Sequence, residues 1–325
     1  MMTSVVRLAA MLLAASIAMS GATAQEFPNR PIRFVLPYAA GGTGDIIVRL
    51  LSPKLSQLWG HQLIVDNRPG AGGVVGTEFA ARSAPDGYTL YLATDGPLTV
   101  AASLHKNLSY HWKRDFMPLT MLAVSYQVML VKASDPARDL AEFIAHARQK
   151  PGQMNYASIG IGSAPHLAAE MVKAAANIDL VHVPYRGSSA QAMTAMIAGD
   201  INMLMNGTAS SIPHIKSGAL RGLAVTGPHR VADLPDVPTF AEAGLPVIEV
   251  VLWFAAMVPV GTPQPIAAKL RADLVQAVSD PEFRRALEAR SLEVKTMTPE
   301  ELGAFMARDD EKFRVLIQKL GLKVE

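Results

Sequence analysis

Apolar and polar positions along this chain switch repeatedly between a two-residue and a helical period, and the switching lays out its elements. The run Ile-Arg-Phe-Val-Leu at 32–36 reads as a strand. Behind it, Ile46, Ile47, Leu50, Leu51, Leu55 and Leu58 fall at helical spacing and predict a helix over 44–58. Residues 62–66 predict a strand, "NRPGAGGVVG" a glycine-rich turn into a helix near 77–83, and 88–93 another strand. An apolar strand follows at 126–132, then a helix over 137–149 stopped by "KPGQ". One pattern then occurs three times: strand, small-residue loop, helix, in "MNYASIGIGSAPHL", "LVHVPYRGSSAQAM" and "INMLMNGTASSIPHI". "LRGLAVTG" is a further strand, and a Pro-rich connection leads to an apolar strand at 252–258. The remainder, 265–320, reads as helical, with Glu300 and Glu301 early and Lys319 late, as the helix dipole prefers. Strand and helix signals that alternate in this way predict an α/β fold with largely parallel sheets.

The first residues do not share this pattern. Arg7 precedes an apolar stretch over 8–19, and Ala22-Thr23-Ala24 follows, which is the layout of a secretory signal peptide cleaved after Ala24. The stretch is short for a membrane span, and the next most apolar run, 247–260, is also too short and contains Glu249. Export to the periplasm as a soluble monomer is the expectation. At 325 residues the chain has room for two domains. It has no cysteine, which excludes disulfides and thiolate metal sites. The peptide removes one Arg and no acid, leaving 29 Lys and Arg against 28 Asp and Glu, so nothing points to nucleic acid.

The loops carry the candidate chemistry. Glycine-rich segments between a strand and a helix start offer free N–H groups and the positive end of a helix to an anion. The chain has several such segments, at 39–44, 94–97, 158–163, 186–189 and 206–210. None reads GxxxxGK[ST], which excludes a P-loop, and "GAGGVVG" lacks the dinucleotide spacing. A carboxylate, small and planar, suits two or three N–H groups and a hydroxyl best. Thr43 is a candidate N-cap. Asp45 can serve its own helix dipole, or tie loop N–H groups and accept from a ligand.

Catalytic patterns are poor: no GxSxG, HExxH or Ser-x-x-Lys context is present, and no cofactor is implied. His166 and Glu170 lie four apart on one helix face and read as a surface or packing pair rather than metal ligands. Ser163 beside a helix start reads first as a capping residue. Met193, Met196, Met203 and Met205 read as core filling. Trp253 and Phe254 are either buried or a cleft wall.

Six ordered blocks carry a resemblance: "RPIRFVLPYAAGGTGDIIVR", "VDNRPGAGGVVGTEFAARSAPDGYTL", "KPGQMNYASIGIGSAPHLAAE", "VHVPYRGSSAQAMTAMIAGDINM", "IPHIKSGALRGLAVTG" and "LPDVPTFAEAGLP". They resemble the solute receptors of tripartite tricarboxylate transporters, the Bug-type receptors, over about 27–323. The resemblance implies a two-domain periplasmic binding protein of type II topology with the ligand cleft between domains. Domain 1 would be 25–127 plus 251–325, domain 2 128–250, with the strands at 126–132 and 252–258 as the crossings. It implies no enzyme activity, membrane transporter subunits as partners and a small carboxylate ligand, a di- or tricarboxylate or an aromatic carboxylate, in a family that also takes acidic amino acids. Carried onto this chain, the first-domain candidates are Tyr38, Ala39, Gly42, Thr43 and Asp45, with Thr94 and Asp95. The second-domain candidates are Ser158, Gly162, Ser163, His166, Tyr185 and Arg186, the last either a cation for the ligand or a solvated rim charge. Two departures stand out. Asn206, in "MNG", occupies a place where the family often has Asp, and Thr94-Asp95-Gly96 stands where it commonly shows Asn-Gly or Asn-Ser. A neutral Asn206 disfavours a ligand ammonium, so a simple or aromatic carboxylate is expected over an amino acid. A sensor partner, or an exported enzyme using Ser163 and His166, are the alternatives.

Overall fold

The computed structural model describes residues 27–105, 107–246, 248 and 250–321. The expected signal peptide and its cleavage point after Ala24 lie outside the described residues. No helix among the described residues is long and apolar enough to cross a membrane.

The chain builds two sheets. The first contains β1 (Ile32–Leu36), β2 (Leu63–Asn67), β3 (Thr89–Thr94), β4 (Phe116–Ser125), β10 (Leu252–Pro259) and β11 (Leu292–Val294), in the order β11-β4-β10-β3-β1-β2. The second contains β5 (Gln127–Lys132), β6 (Asn155–Ser158), β7 (Val181–Pro184), β8 (Met203–Gly207) and β9 (Leu220–Val225), in the order β7-β6-β8-β5-β9. In chain order the helices are α1 (Thr43–Trp59), α2 (Val74–Ala81), α3 (Ala101–Leu104), α4 (Trp112–Asp115), α5 (Leu140–Gln149), α6 (Ala164–Ala176), α7 (Ser189–Ala198), α8 (Thr208–Lys216), α9 (Gln264–Ser279), α10 (Pro281–Glu288) and α11 (Pro299–Leu320).

The α/β class holds, but the sheets are mixed rather than largely parallel. β1 pairs in parallel with β2 and β3, and β6 with β7 and β8. β10 runs antiparallel to β3 and β4, and β5 antiparallel to β8 and β9. The reason is topological. Parallel neighbours are joined by helical crossovers, whereas β5 and β10 enter their sheets from the other sheet. β4 ends at Ser125 in the first sheet and β5 begins at Gln127 in the second, so Tyr126 alone carries the chain across. The crossings therefore precede the strands at 126–132 and 252–258 instead of occupying them.

Two further elements depart from the sequence reading. β4 was not predicted, because Pro118 sits inside its apolar run and proline argues against a central strand. Pro118 pairs with Met257 of β10 beside a register shift in the ladder, in the part of β4 that β11 does not reach, so β4 is an edge on that side there. The C-terminal region is not wholly helical: β11 interrupts it and adds an edge to the first sheet.

Each sheet is packed on both faces. In the first, Phe34, Leu51, Leu90 and Leu274 fill one side, and Tyr91, Trp253, Leu302 and Met306 the other. In the second, Met203 and Met205 pack with Tyr156 and Leu167, while Met193 and Met196 pack with Leu130 and Leu204, so the four methionines are core. α11 serves both units. Its first half gives Leu302 and Met306 to the first core, and its second half gives Phe313 and Ile317 to the second. A capping box starts it: Thr298 Oγ1 accepts from Glu301 N at 3.2 Å, and Glu301 Oε2 from Thr298 N at 2.8 Å.

Arg221 on β9 clamps the loop between β5 and α5. Its guanidinium donates to the carbonyls of Ala133, Asp135 and Ala137 at 2.8, 3.1 and 2.7 Å. Arg221→Met keeps the stem and removes these donors. The expected cost is about 1–3 kcal/mol, read as a lower urea midpoint at unchanged slope.

Candidate functional site

The loop after β1 is where the first sheet meets the second. Ala39 N–H donates to Gly187 O at 2.9 Å, which ties it to the loop between β7 and α7. Asn67 Nδ2 donates to Tyr38 O at 3.0 Å and Tyr38 Oη to Gly72 O at 3.1 Å, which fix the same loop from the β2 side. The N-cap of α1 is Gly42, not Thr43, and no side chain caps this helix. Its first backbone N–H groups are thus left for another acceptor.

Asp45, in the first turn, combines the two roles read from its position. Its Oδ2 accepts from Gly41 N at 3.0 Å and from Arg49 Nε at 2.8 Å. Burial raises its pKa, but these hydrogen bonds outweigh burial and hold it below the usual carboxylate range. Its Oδ1 is buried with no partner.

Between the sheets lies a cavity of about 50 Å³. Tyr38, Ala39, Gly42, Thr43 and Asp45 line it from the first loop, Thr94 and Asp95 from the end of β3, and Asn206 from the end of β8. Leu92, Leu252, Phe254 and Ile159 give it apolar walls, and Ser189, Gly187 and Pro165 complete the second-sheet side. No Lys or Arg side chain is among the lining residues. Three polar atoms around it are buried without a partner: Asp45 Oδ1, Thr94 Oγ1 and Asp95 Oδ2. A buried polar atom costs free energy unless something pairs with it. Asn206 differs: Oδ1 accepts from Ser189 Oγ at 2.7 Å, and Nδ2 donates to Ser210 and Ser211 at 2.9 and 3.0 Å.

Glycines let the two sides approach this closely. A Cβ at Gly72 would lie 2.3 Å from Ile161 O, and one at Gly207 2.3 Å from Thr43 Oγ1. The second glycine-rich turn, read from sequence only as an entry to a helix, thus faces the loop after β6 across the cleft.

The other candidates form a group behind the cavity. Ser163 caps α6, accepting from His166 N at 3.4 Å and donating to Gly160 O at 2.7 Å. Its proton is committed, and His166 Nδ1 accepts from Gly162 N at 3.3 Å, so the two do not form a nucleophile and base. Ser158 Oγ lies 2.7 Å from His182 Nε2. His166 and His182 have ring centroids 4.5 Å apart, with Tyr156 stacked on both. Tyr156 Oη donates to Glu170 Oε1, which also accepts from Lys173 at 2.8 Å. The His166–Glu170 pair is therefore packing, and no group of three or more metal-ligating side chains occurs among the described residues. Tyr185 contributes backbone, its N–H donating to Ser158 O at 2.9 Å. Arg186 is exposed, with φ of +35°, and is not among the lining residues. Of the pair Trp253 and Phe254, only Phe254 reaches the cavity; Trp253 turns into the first core, where its Nε1 donates to Asp309 Oδ2 at 2.9 Å. Strand alternation could have separated them, since neighbours in a strand face opposite sides.

Comparison with known proteins places this geometry. The model of the tripartite tricarboxylate transporter family receptor matches residues 47–322. A UPF0065 protein from the tcbD-tcbE intergenic region of Pseudomonas sp. (strain P51) is 36% identical over 297 residues, covering 91% of this chain and 88% of that protein. Among solved structures, periplasmic binding protein BugD superposes with a TM-score of 0.89 at 31% identity, over 92% of this chain and 100% of that one. A Rhodopseudomonas palustris protein with adipate gives 0.88 at 28% identity, over 92% and 99%. MatC from the same organism, with bound malate, gives 0.85 at 28% identity, over 90% and 100%. The chain belongs to the tripartite tricarboxylate transporter receptor family, the TctC and Bug group of periplasmic solute-binding receptors.

Proposed function

We propose that this receptor captures a small carboxylate in the periplasm and delivers it, unreacted, to membrane subunits of the tripartite tricarboxylate type. The observation that carries the reading is the cavity between the sheets, where the uncapped start of α1 and three unpartnered buried polar atoms converge. A carboxylate accepts from the free N–H groups of α1, whose dipole favours its charge. The domains would be 25–127 with 251–325, and 128–250, closing on the ligand and excluding water so that its hydrogen bonds strengthen. Adipate and malate in the two related structures support a carboxylate as the class. The apolar walls and the absence of a lining cation favour a simple or aromatic carboxylate over an acidic amino acid or a tricarboxylate.

Thermal unfolding of the mature chain against mono-, di-, tri- and aromatic carboxylates and amino acids tests this. An acid at a hundredfold its Kd should add about 2.7 kcal/mol of stability and raise the midpoint by several degrees. The acid should be recovered unchanged. Preferential stabilisation by glutamate or aspartate, or consumption of the acid, would overturn the reading. Uptake of the same acid in cells that lack the receptor gene tests delivery.

A further inference from the structure

Asp95 stands at the end of β3, is 1% exposed, and leaves its Oδ2 without a hydrogen-bond partner beside the cavity it lines. The titratable groups that face it are Tyr38 from the first loop and Asp309 and Lys312 from α11; Asp45 lines the same cavity from α1. Asp309 Oδ2 has one donor of its own and a share in a second. Trp253 Nε1 gives to its Oδ2 at 2.9 Å, and Thr99 Oγ1 lies 2.9 Å from the same oxygen. Thr99 Oγ1 is also 3.0 Å from the main-chain oxygen of Asp95, so the hydroxyl links the two residues. Neighbouring buried carboxyls do not both ionise readily. Burial raises both carboxyls, but Asp309 Oδ2 has the Trp253 donor whereas Asp95 Oδ2 has none, so the proton favours Asp95. Burial, and then the charge of Asp309, push Asp95 up to about 8.

We propose that Asp95 is a specificity-determining residue of this receptor, donating its Oδ2–H to one oxygen of the bound acid anion. The proposal rests on the carboxylate reading above and deepens it. With no Lys or Arg lining the cavity, an ionised Asp95 would repel a carboxylate at close range. A neutral carboxyl instead forms an O–H···O⁻ bond, the short and strong class. Burial that would be costly for an ion then becomes the device that keeps the donor loaded. An acidic side chain thus recognises an acid, and the ligand must arrive as an anion with Asp95 still protonated.

Calorimetric titration of the mature wild type, Asp95→Asn and Asp95→Ala with acetate, benzoate, adipate and malate between pH 6 and 9.5 tests this. The wild-type affinity should fall above about pH 8, approaching tenfold per pH unit. Asp95→Asn keeps a donor that cannot titrate, so its affinity should be flat with pH. Asp95→Ala should bind at least tenfold more weakly than the wild type at pH 6. A flat wild-type profile, or an Asn variant that keeps the wild-type pH dependence, overturns the proposal. Carbon-13 titration of the Asp95 carboxyl in the ligand-free chain separates this failure from that of the carboxylate reading. A carboxyl already ionised at pH 7 overturns the donor whichever acids bind. A carboxyl protonated at pH 7, with none of the four acids bound at any pH, overturns the ligand class instead.

Discussion

Gly72→Ala should cut ligand affinity about five- to 150-fold while Gly60→Ala leaves it unchanged. Both glycines have left-handed backbone, φ of +64° and +66°, so an added methyl group strains each by a similar amount, about 1 kcal/mol. They differ in surroundings. Nothing lies within 4 Å of a Cβ at Gly60, whereas one at Gly72 would sit 2.3 Å from the carbonyl oxygen of Ile161 across the cleft. That oxygen belongs to backbone and has no rotamer to escape into, so the two sides must separate. Overpacking of this kind costs about 1–3 kcal/mol, the origin of the range given. On the proposed closing of two domains the free lobes part, so the two variants should unfold at similar midpoints. The pair therefore isolates closure from backbone strain. Equal affinities in isothermal titration would mean that these loops do not meet in the ligand-bound form.

Acid should destabilise the chain by several kcal/mol between about pH 6.5 and 4, through His166 and His182. Burial lowers both to about 4, and for His182 the neighbouring His166 adds to the effect. A histidine depressed in the folded state takes up its proton more readily when unfolded. Its contribution is complete above the unfolded value near 6.5 and is lost as pH falls toward 4. For His166, only 6% exposed, the full shift corresponds to roughly 3 kcal/mol; His182 is more exposed and contributes less. Glu170 works in the same direction at lower pH. Burial raises it, but hydrogen bonds from Lys173 and Tyr156 win and hold it below the usual value, so protonating it also costs stability. Calorimetry at pH 7 and pH 4.5 should show the loss, and His182→Asn should reduce it. An unchanged midpoint across this interval would mean that the two rings are not buried neutral. The cluster adjoins the cleft, since α6 carries His166 and its first turn lines the cavity through Ala164 and Pro165. Acid loosening should therefore reach the cavity wall as well as the core.

These results turn on how much of the molecule local sequence can encode. The strand at 32–36 matches β1 residue for residue, and the helix predicted over 44–58 is α1 to within a residue at each end. Both are legible because apolar periodicity and a terminating Gly60 are local signals. The three strand–loop–helix units are equally plain, as are the methionine core and the cap at Ser163. The first glycine-rich loop is legible as a cavity wall and a candidate anion site because its small residues and the following helix start are contiguous.

What contiguity does not carry was settled by packing. The polarity of β5 and β10 depends on which sheet each strand enters, and Pro118 sits where β4 is open on its β11 side and its β10 ladder shifts register. The candidate residues divide for the same reason: Tyr38, Ala39, Gly42, Thr43, Asp45, Thr94, Asp95 and Asn206 converge on one cavity, while Ser158, Ser163 and His166 turn inward to serve α6 and the histidine stack. Nothing near Asp95 in the chain reveals that Asp309, more than two hundred residues away, lies close enough to push up its pKa. Periodicity and turn chemistry act over a few residues and are written in order. Burial, charge coupling and close approach depend on distance in space, which only the folded chain defines.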